Sequence, residues 1–103
     1  DIAQTGDEFS AALAAVDLVR RAHAEIVLSF AGDRVGTLAV SLLRHALERF
    51  AMEAGCTVHV EASGADDHHI AEAAFKAVAR ALRMAVEPDA RAGDALPTTK
   101  GAL

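Results

Sequence analysis

At 103 residues, with 52% of them hydrophobic, 24% charged and 4% aromatic, the chain holds material for one modest core and one domain. Its formal charge of −5, from 10 basic against 15 acidic side chains with no dense run of Lys or Arg, argues against nucleic acid or an anionic membrane as the main partner. No apolar run approaches the ~20 residues of a bilayer span, and with Cys56 alone an internal disulfide is excluded, which fits a reducing, cytoplasmic setting.

Residues 7 to 19 pull two ways. Glu8-Phe9-Ser10-Ala11-Ala12-Leu13 has helix propensity, whereas Val16-Asp17-Leu18-Val19 suits a strand, so a short helical turn followed by a strand is predicted. Ile26 to Phe30 gathers β-branched residues and Phe ahead of Gly32 and reads as a second strand. From Thr37 to Ala54 the apolar residues Leu38, Leu42, Leu43, Ala46, Leu47, Phe50 and Ala54 recur at spacings of three and four, which predicts an amphipathic helix with Thr37 as N-cap and Gly55 at its C-terminal stop. Cys56 to Ala62 alternates Cys56, Val58, Val60 and reads as a strand. A second helix is expected after Asp66-Asp67, with a core stripe of Ala71, Phe75, Val78, Leu82 and Ala85, ending near Val86 ahead of Pro88. Residues 89 to 103 show no periodicity and read as a flexible loop that needs a partner or ligand to order. The order β-β-α-β-α defines an α+β fold in which both helices back one face of a small sheet.

The chemistry concentrates at the start of the second helix. His68 and Glu72 stand four residues apart, on one helix face at about 5–6 Å between Cβ atoms, a spacing at which an imidazole and a carboxylate grip one cation. His69 is turned ~100° away and offers its ring to a second ion. Asp66 and Asp67 just upstream are placed to accept ring N–H groups and orient the imidazoles; the plainer reading is a polar first turn facing solvent. His45 and His59 are further donors between which spacing does not choose. Lys76, roughly 10 Å along the axis from His69, together with Pro97-Thr98-Thr99-Lys100-Gly101, would suit a small phosphorylated ligand, although Lys76, Arg80 and Arg83 also read as a solvated face.

The run His68-His69-Ile70-Ala71-Glu72-Ala73-Ala74-Phe75-Lys76, continuing to Arg83, then Ala85-Val86-Glu87-Pro88-Asp89 and Pro97-Thr98-Thr99-Lys100-Gly101, resembles the imidazoleglycerol-phosphate dehydratase family of histidine biosynthesis. The likeness extends over residues 7 to 103 and includes Arg34-Val35-Gly36-Thr37 and Leu43-Arg44-His45. It implies two similar half-domains in tandem in the family, of which this chain matches the second. It further implies a pair of Mn²⁺ ions, or Zn²⁺ as substitute, on His45, His68, His69 and Glu72, which selects His45 over His59. Substrate contacts carry over to Arg21, His68, His69, Glu72, Lys76, Thr98, Thr99 and Lys100. Two departures stand out: Arg20-Arg21-Ala22 replaces the family's Gly-Arg-Pro, and the segment between His59 and His68 is about one residue short.

The reaction so implied removes water from imidazoleglycerol phosphate to give imidazoleacetol phosphate, with Glu72 as a catalytic ligand. The acid/base carboxylate belongs to the absent half, and Glu25, four residues after Arg21, is the substitute this chain offers. Self-association or a complementary half-domain would complete the site. The competing function is a non-catalytic, metal-binding assembly module.

Overall fold

The computed structural model describes residues 2–6, 10–18 and 21–87. Four strands form one sheet: β1 (Ile2–Gly6), β2 (Ser10–Asp17), β3 (His23–Leu28) and β6 (Thr57–Gly64), in the order β1-β2-β6-β3. β1 with β2 and β2 with β6 are antiparallel; β3 runs parallel to β6, with Glu25 opposite His59. A small ribbon, β4 (Arg34–Val35) with β5 (Leu38–Ala39), leads into α1 (Val40–Ala54), and α2 (Asp67–Val86) follows β6. α2 lies across β2 and its neighbours, and α1 covers β3. The α+β architecture with both helices backing one sheet is the one the sequence predicts.

Where the elements differ from expectation, pairing and packing explain the change. Ser10 to Leu13 are strand rather than helical turn; the predicted turn's residues 7–9 lie outside the described residues. The Ala-rich stretch alternates with period two, burying Ser10, Ala12, Ala14 and Val16, and pairing on both sides overrides alanine's helix propensity. β1, which the sequence reading lacks, joins the sheet through ladder hydrogen bonds with little apolar burial of its own.

α1 begins at Val40 rather than just after Thr37, because residues 34–39 are spent on the ribbon, whose turn has Arg34 Nη1 donating to the Thr37 carbonyl at 3.1 Å. Ala39 offers no side-chain cap, and the Val40 N–H finds the Asp33 carbonyl at 2.9 Å. At the other end Gly55 takes φ 68°, the left-handed conformation that stops a helix and favours glycine.

The core is built mostly from small residues. Ile70, Val16, Val58, Val60 and Cys56 are its largest fully buried side chains, and Ala74, Ala77 and Ala81 of α2 meet the sheet with no exposed surface. The buried face of α2 therefore runs through Ile70, Ala73, Ala74, Ala77 and Ala81 beside the predicted Ala71 and Val78, while Phe75 sits on the rim. On α1 only Leu47 and Ala51 are buried; Phe50 packs against the core, and Leu42 of the predicted stripe is 51% exposed. Arg44 of α1 donates from its guanidinium to the Ile26 carbonyl of β3, holding the helix against the sheet's outer strand.

Candidate functional site

Everything at the head of α2 is organised by Asp66. Its Oδ1 accepts the backbone N–H of His68 at 2.8 Å and of His69 at 3.4 Å, which caps the helix. The His68 N–H is the chief reason its carboxyl sits below the usual carboxylate range. Its other oxygen stands 3.4 Å from Nδ1 of His69. A carboxylate there favours a proton on Nδ1 and so leaves Nε2 as the lone-pair donor of that ring. Of the two Asp residues expected to orient the imidazoles, Asp66 is the one that stands beside a ring, at a separation longer than a hydrogen bond to Nδ1.

Asp67 does something else. Its carboxylate accepts the N–H groups of Ala31 at 2.8 Å and Gly32 at 2.7 Å, tying the loop after β3 to the first residue of α2. Gly32 is suited to this contact, since a Cβ there would lie 3.2 Å from Asp67 Oδ2. Asp67→Ala is expected to cost roughly 1–2 kcal/mol and to accelerate amide exchange at Gly32. Hydrogen exchange with a urea titration reads both; unchanged protection at Gly32 would show that the clamp holds nothing.

His68 Nε2 lies 3.8 Å from Glu72 Oε2, and Lys76 Nζ lies 3.9 Å from Glu72 Oε1. The His68 and His69 rings are perpendicular, at 89° with centroids 6.0 Å apart, so they present donors in two directions as the helical period requires. Beside them, a cleft of about 510 Å³ separates α2 from β1. Gln4, Thr5 and Ser10 form one wall, and His69, Lys76 and Arg80 with Glu72 the other. Thr5 Oγ1 donates to the Ala73 carbonyl at 2.6 Å and fixes the strand against the helix at the cleft floor. Two permanent cations and an imidazole against one carboxylate make this an environment for an anion such as a phosphate monoester. Arg80 is the lining residue that the sequence reading left as surface; its place four residues after Lys76, on the same helix face, is the signal that would have found it.

Glu72 also borders a second recess, of about 230 Å³, with His68, Val35, Leu38, Leu43 and Phe75. The His68–Glu72 pair therefore stands at the boundary between a cationic cleft and an apolar surface.

The other expected residues fall elsewhere. His45 is exposed on α1 and makes no described contact with His68, His69 or Glu72. Arg21 is exposed just before β3, with its carbonyl accepting from Thr57 Oγ1 at 3.1 Å. Glu25 lies on the sheet face opposite the helices, between His23 and His59, whose contacts hold its carboxyl below the usual range, the His23 hydrogen bond foremost. Thr98, Thr99 and Lys100 lie outside the described residues, as do Pro88 and the whole predicted loop from 89. Among the described residues, no three or more His, Cys, Asp or Glu side chains stand as they are in an arrangement that holds a metal ion. The donors on α2 suit a borderline divalent metal chemically, as imidazole and carboxylate groups, but a lone His–Glu pair leaves coordination positions to be filled from elsewhere.

Comparison with known proteins is concordant. The chain matches the family described as imidazoleglycerol-phosphate dehydratase over residues 4–82. It is 52% identical over 91 residues to the imidazoleglycerol-phosphate dehydratase of Granulibacter bethesdensis, covering 87% of this chain and 46% of that protein. It is 50% identical over 91 residues to that of Cereibacter sphaeroides, covering 87% and 47%. The crystal structure of the Staphylococcus aureus dehydratase superposes with a TM-score of 0.81 at 27% identity, over 85% of this chain and 52% of that one. The Pyrococcus furiosus enzyme, solved in complex with (S)-C348, gives 0.74 at 30% identity, over 86% and 52%. The chain thus spans about half the length of the curated relatives it matches.

Proposed function

The chain belongs to the imidazoleglycerol-phosphate dehydratase family, and from that premise we propose that it is one half of a dehydratase site, eliminating water from imidazoleglycerol phosphate to give imidazoleacetol phosphate once a second half-domain is in place. The observation that carries this reading is the position of the His68–Glu72 pair beside a cationic cleft, with no further donor beside that pair among the described residues to close a metal site.

In this reading His68, His69 and Glu72 bind manganese, with His45 contributing to a site shared between half-domains. The metal, when bound, supplies Lewis acidity to the substrate's imidazole ring. Asp66, beside Nδ1 of His69, favours the tautomer that leaves Nε2 as the metal-binding nitrogen. Lys76 and Arg80 hold the phosphate, and Thr98, Thr99 and Lys100 supply further substrate contacts. Arg21 contributes a further positive charge to the substrate. Gripping the two ends fixes the three-carbon chain between them, so that elimination proceeds from one conformer. The acid/base carboxylate comes from the other half, since Glu25 is turned to the opposite sheet face. A cytoplasmic location suits this biosynthetic role; no helix among the described residues is long and apolar enough to cross a membrane.

Self-association is the expected solution behaviour. Leu38 at 47%, Leu42 at 51% and Phe75 at 38% exposure leave apolar surface open beside the donors. Light scattering is expected to show a dimer or larger assembly, metal analysis to find Mn²⁺ in it, and a kinetic assay to show turnover of imidazoleglycerol phosphate either alone or with the complementary half added. A stable monomer that holds metal would overturn the shared site. No turnover, and no binding of an imidazole phosphate analogue, in both settings would leave the assembly-module function in its place.

A further inference from the structure

The sheet face turned away from the helices carries a second cluster of donors that the proposed reaction does not use. β3 contributes His23 and Glu25, two residues apart and so on the same side of the strand. β6 contributes His59, whose Cα is paired with that of Glu25. Ile26, Val58 and Val60, at the alternate positions, are buried under the helices, which fixes the three polar side chains on the outward face.

One carboxylate joins both rings. Glu25 Oε2 lies 3.1 Å from Nε2 of His23, and Oε1 lies 3.1 Å from Nδ1 of His59. The ring centroids are 6.0 Å apart, tilted at 59°. A tetrahedral ion at ~2.0–2.1 Å from nitrogen and ~2.0–2.2 Å from oxygen places its donor atoms ~3.3 Å from one another. Each nitrogen–oxygen separation is near that value, but to a different oxygen of the carboxylate. What remains is to turn the carboxylate and bring the two rings together, so that both nitrogens and one oxygen face a single point, which is why the group as it stands holds nothing. Side-chain exposures of 42%, 59% and 48% for His23, Glu25 and His59 leave the space for that rotation. Alongside lies a recess of about 240 Å³ lined by Ile2, Leu13, Ala15 and Val27, with Glu61 at its edge. Its apolar wall borders one side of the cluster, and Glu61 adds negative charge to the same recess.

We propose that His23, Glu25 and His59 form a site for a single borderline divalent cation of the Zn²⁺ class on the open face of the sheet. Two imidazoles select Zn²⁺, Ni²⁺ or Cu²⁺ over the hard cations Mg²⁺ and Ca²⁺, which take oxygen ligands. Three protein donors leave a fourth position for water or for a donor from another molecule.

The test begins with a chain carrying His68→Ala and Glu72→Gln, which removes the His68–Glu72 pair. Calorimetric titration with Zn²⁺ is expected to show one ion per chain, and adding either His59→Ala or Glu25→Gln is expected to weaken it by at least about tenfold. All these positions are exposed, and circular dichroism checks that each variant is folded. On the unsubstituted chain, where no variant is needed, Ni²⁺ is expected to broaden the amide resonances of residues 23–25 and 58–60 in addition to those at the head of α2. Zn²⁺ affinity unaltered by His59→Ala and Glu25→Gln, or Ni²⁺ broadening confined to α2, overturns the site. Because neither measurement involves turnover, its failure is separable from failure of the dehydratase reading.

Discussion

Ile70→Ala is expected to bring the chain close to unfolding. Ile70 is 1% exposed and is among the largest side chains the core encloses completely, so its truncation loses transfer energy and leaves a cavity that an alanine-lined helix face is poorly able to refill. Losses for such changes run about 2–5 kcal/mol. A domain of this size has a total stability toward the low end of roughly 5–15 kcal/mol, so most of it is at stake. The position matters as much as the size. Ile70 sits in the first turn of α2, its N–H bonded to the Asp66 carbonyl at 2.9 Å, one residue from His69 and two from His68. Removing the anchor should loosen the donors together with the core. Urea unfolding should show the midpoint falling steeply with the slope unchanged; a shift worth less than about 1 kcal/mol would mean that the neighbouring side chains close the gap.

Glu72→Gln is expected to leave stability nearly untouched while removing most of the function. Its carboxylate is half exposed and meets His68 and Lys76 at 3.8 and 3.9 Å, separations at which surface ion pairs contribute little to folding. In the proposed role of metal ligand the same group matters far more. The amide is neutral and a weaker donor, so manganese affinity of the assembled enzyme should fall by at least the ~10–100-fold that loss of an outer-shell partner costs, with turnover falling in step. Metal analysis and kinetics with varied Mn²⁺ separate this from misfolding. Full metal content in the variant would remove Glu72 from the ligand set.

These two residues illustrate what was legible in the sequence. His68, Glu72 and Lys76 were readable because a helix imposes fixed spacings, and the helix itself was marked by Asp66 at its start and a regular apolar period. The buried face was harder to read. Reading Phe75 as core and passing over Ala74 and Ala77 follows from weighing residues by hydrophobicity, yet the sheet accepts small side chains on its contact line and leaves the bulkier Phe at the rim. The first part of β2 reads as helix for a related reason, although the strand expected at Val16 and Asp17 is there: alanine favours helix when alone, and only the partners on either side, β1 and β6, make it strand. The clamp from Asp67 to the loop at Ala31 and Gly32 joins positions 35 and 36 residues apart, and no local pattern announces it. The open cluster around Glu25 escaped for the same reason, since His59 reaches it only through strand pairing.

The Arg44 contact with the Ile26 carbonyl has a consequence for assembly. β3 is a terminal strand of the sheet, and a terminal strand ordinarily offers unpaired backbone groups to any extended chain that passes. With a guanidinium seated on one of its carbonyls, and the α1 helix held alongside by that same contact, this margin is a poor template for adding another strand. Any association of copies of the chain is thereby steered away from open-ended ribbon growth and toward contact through faces, the kind of contact that can close on itself.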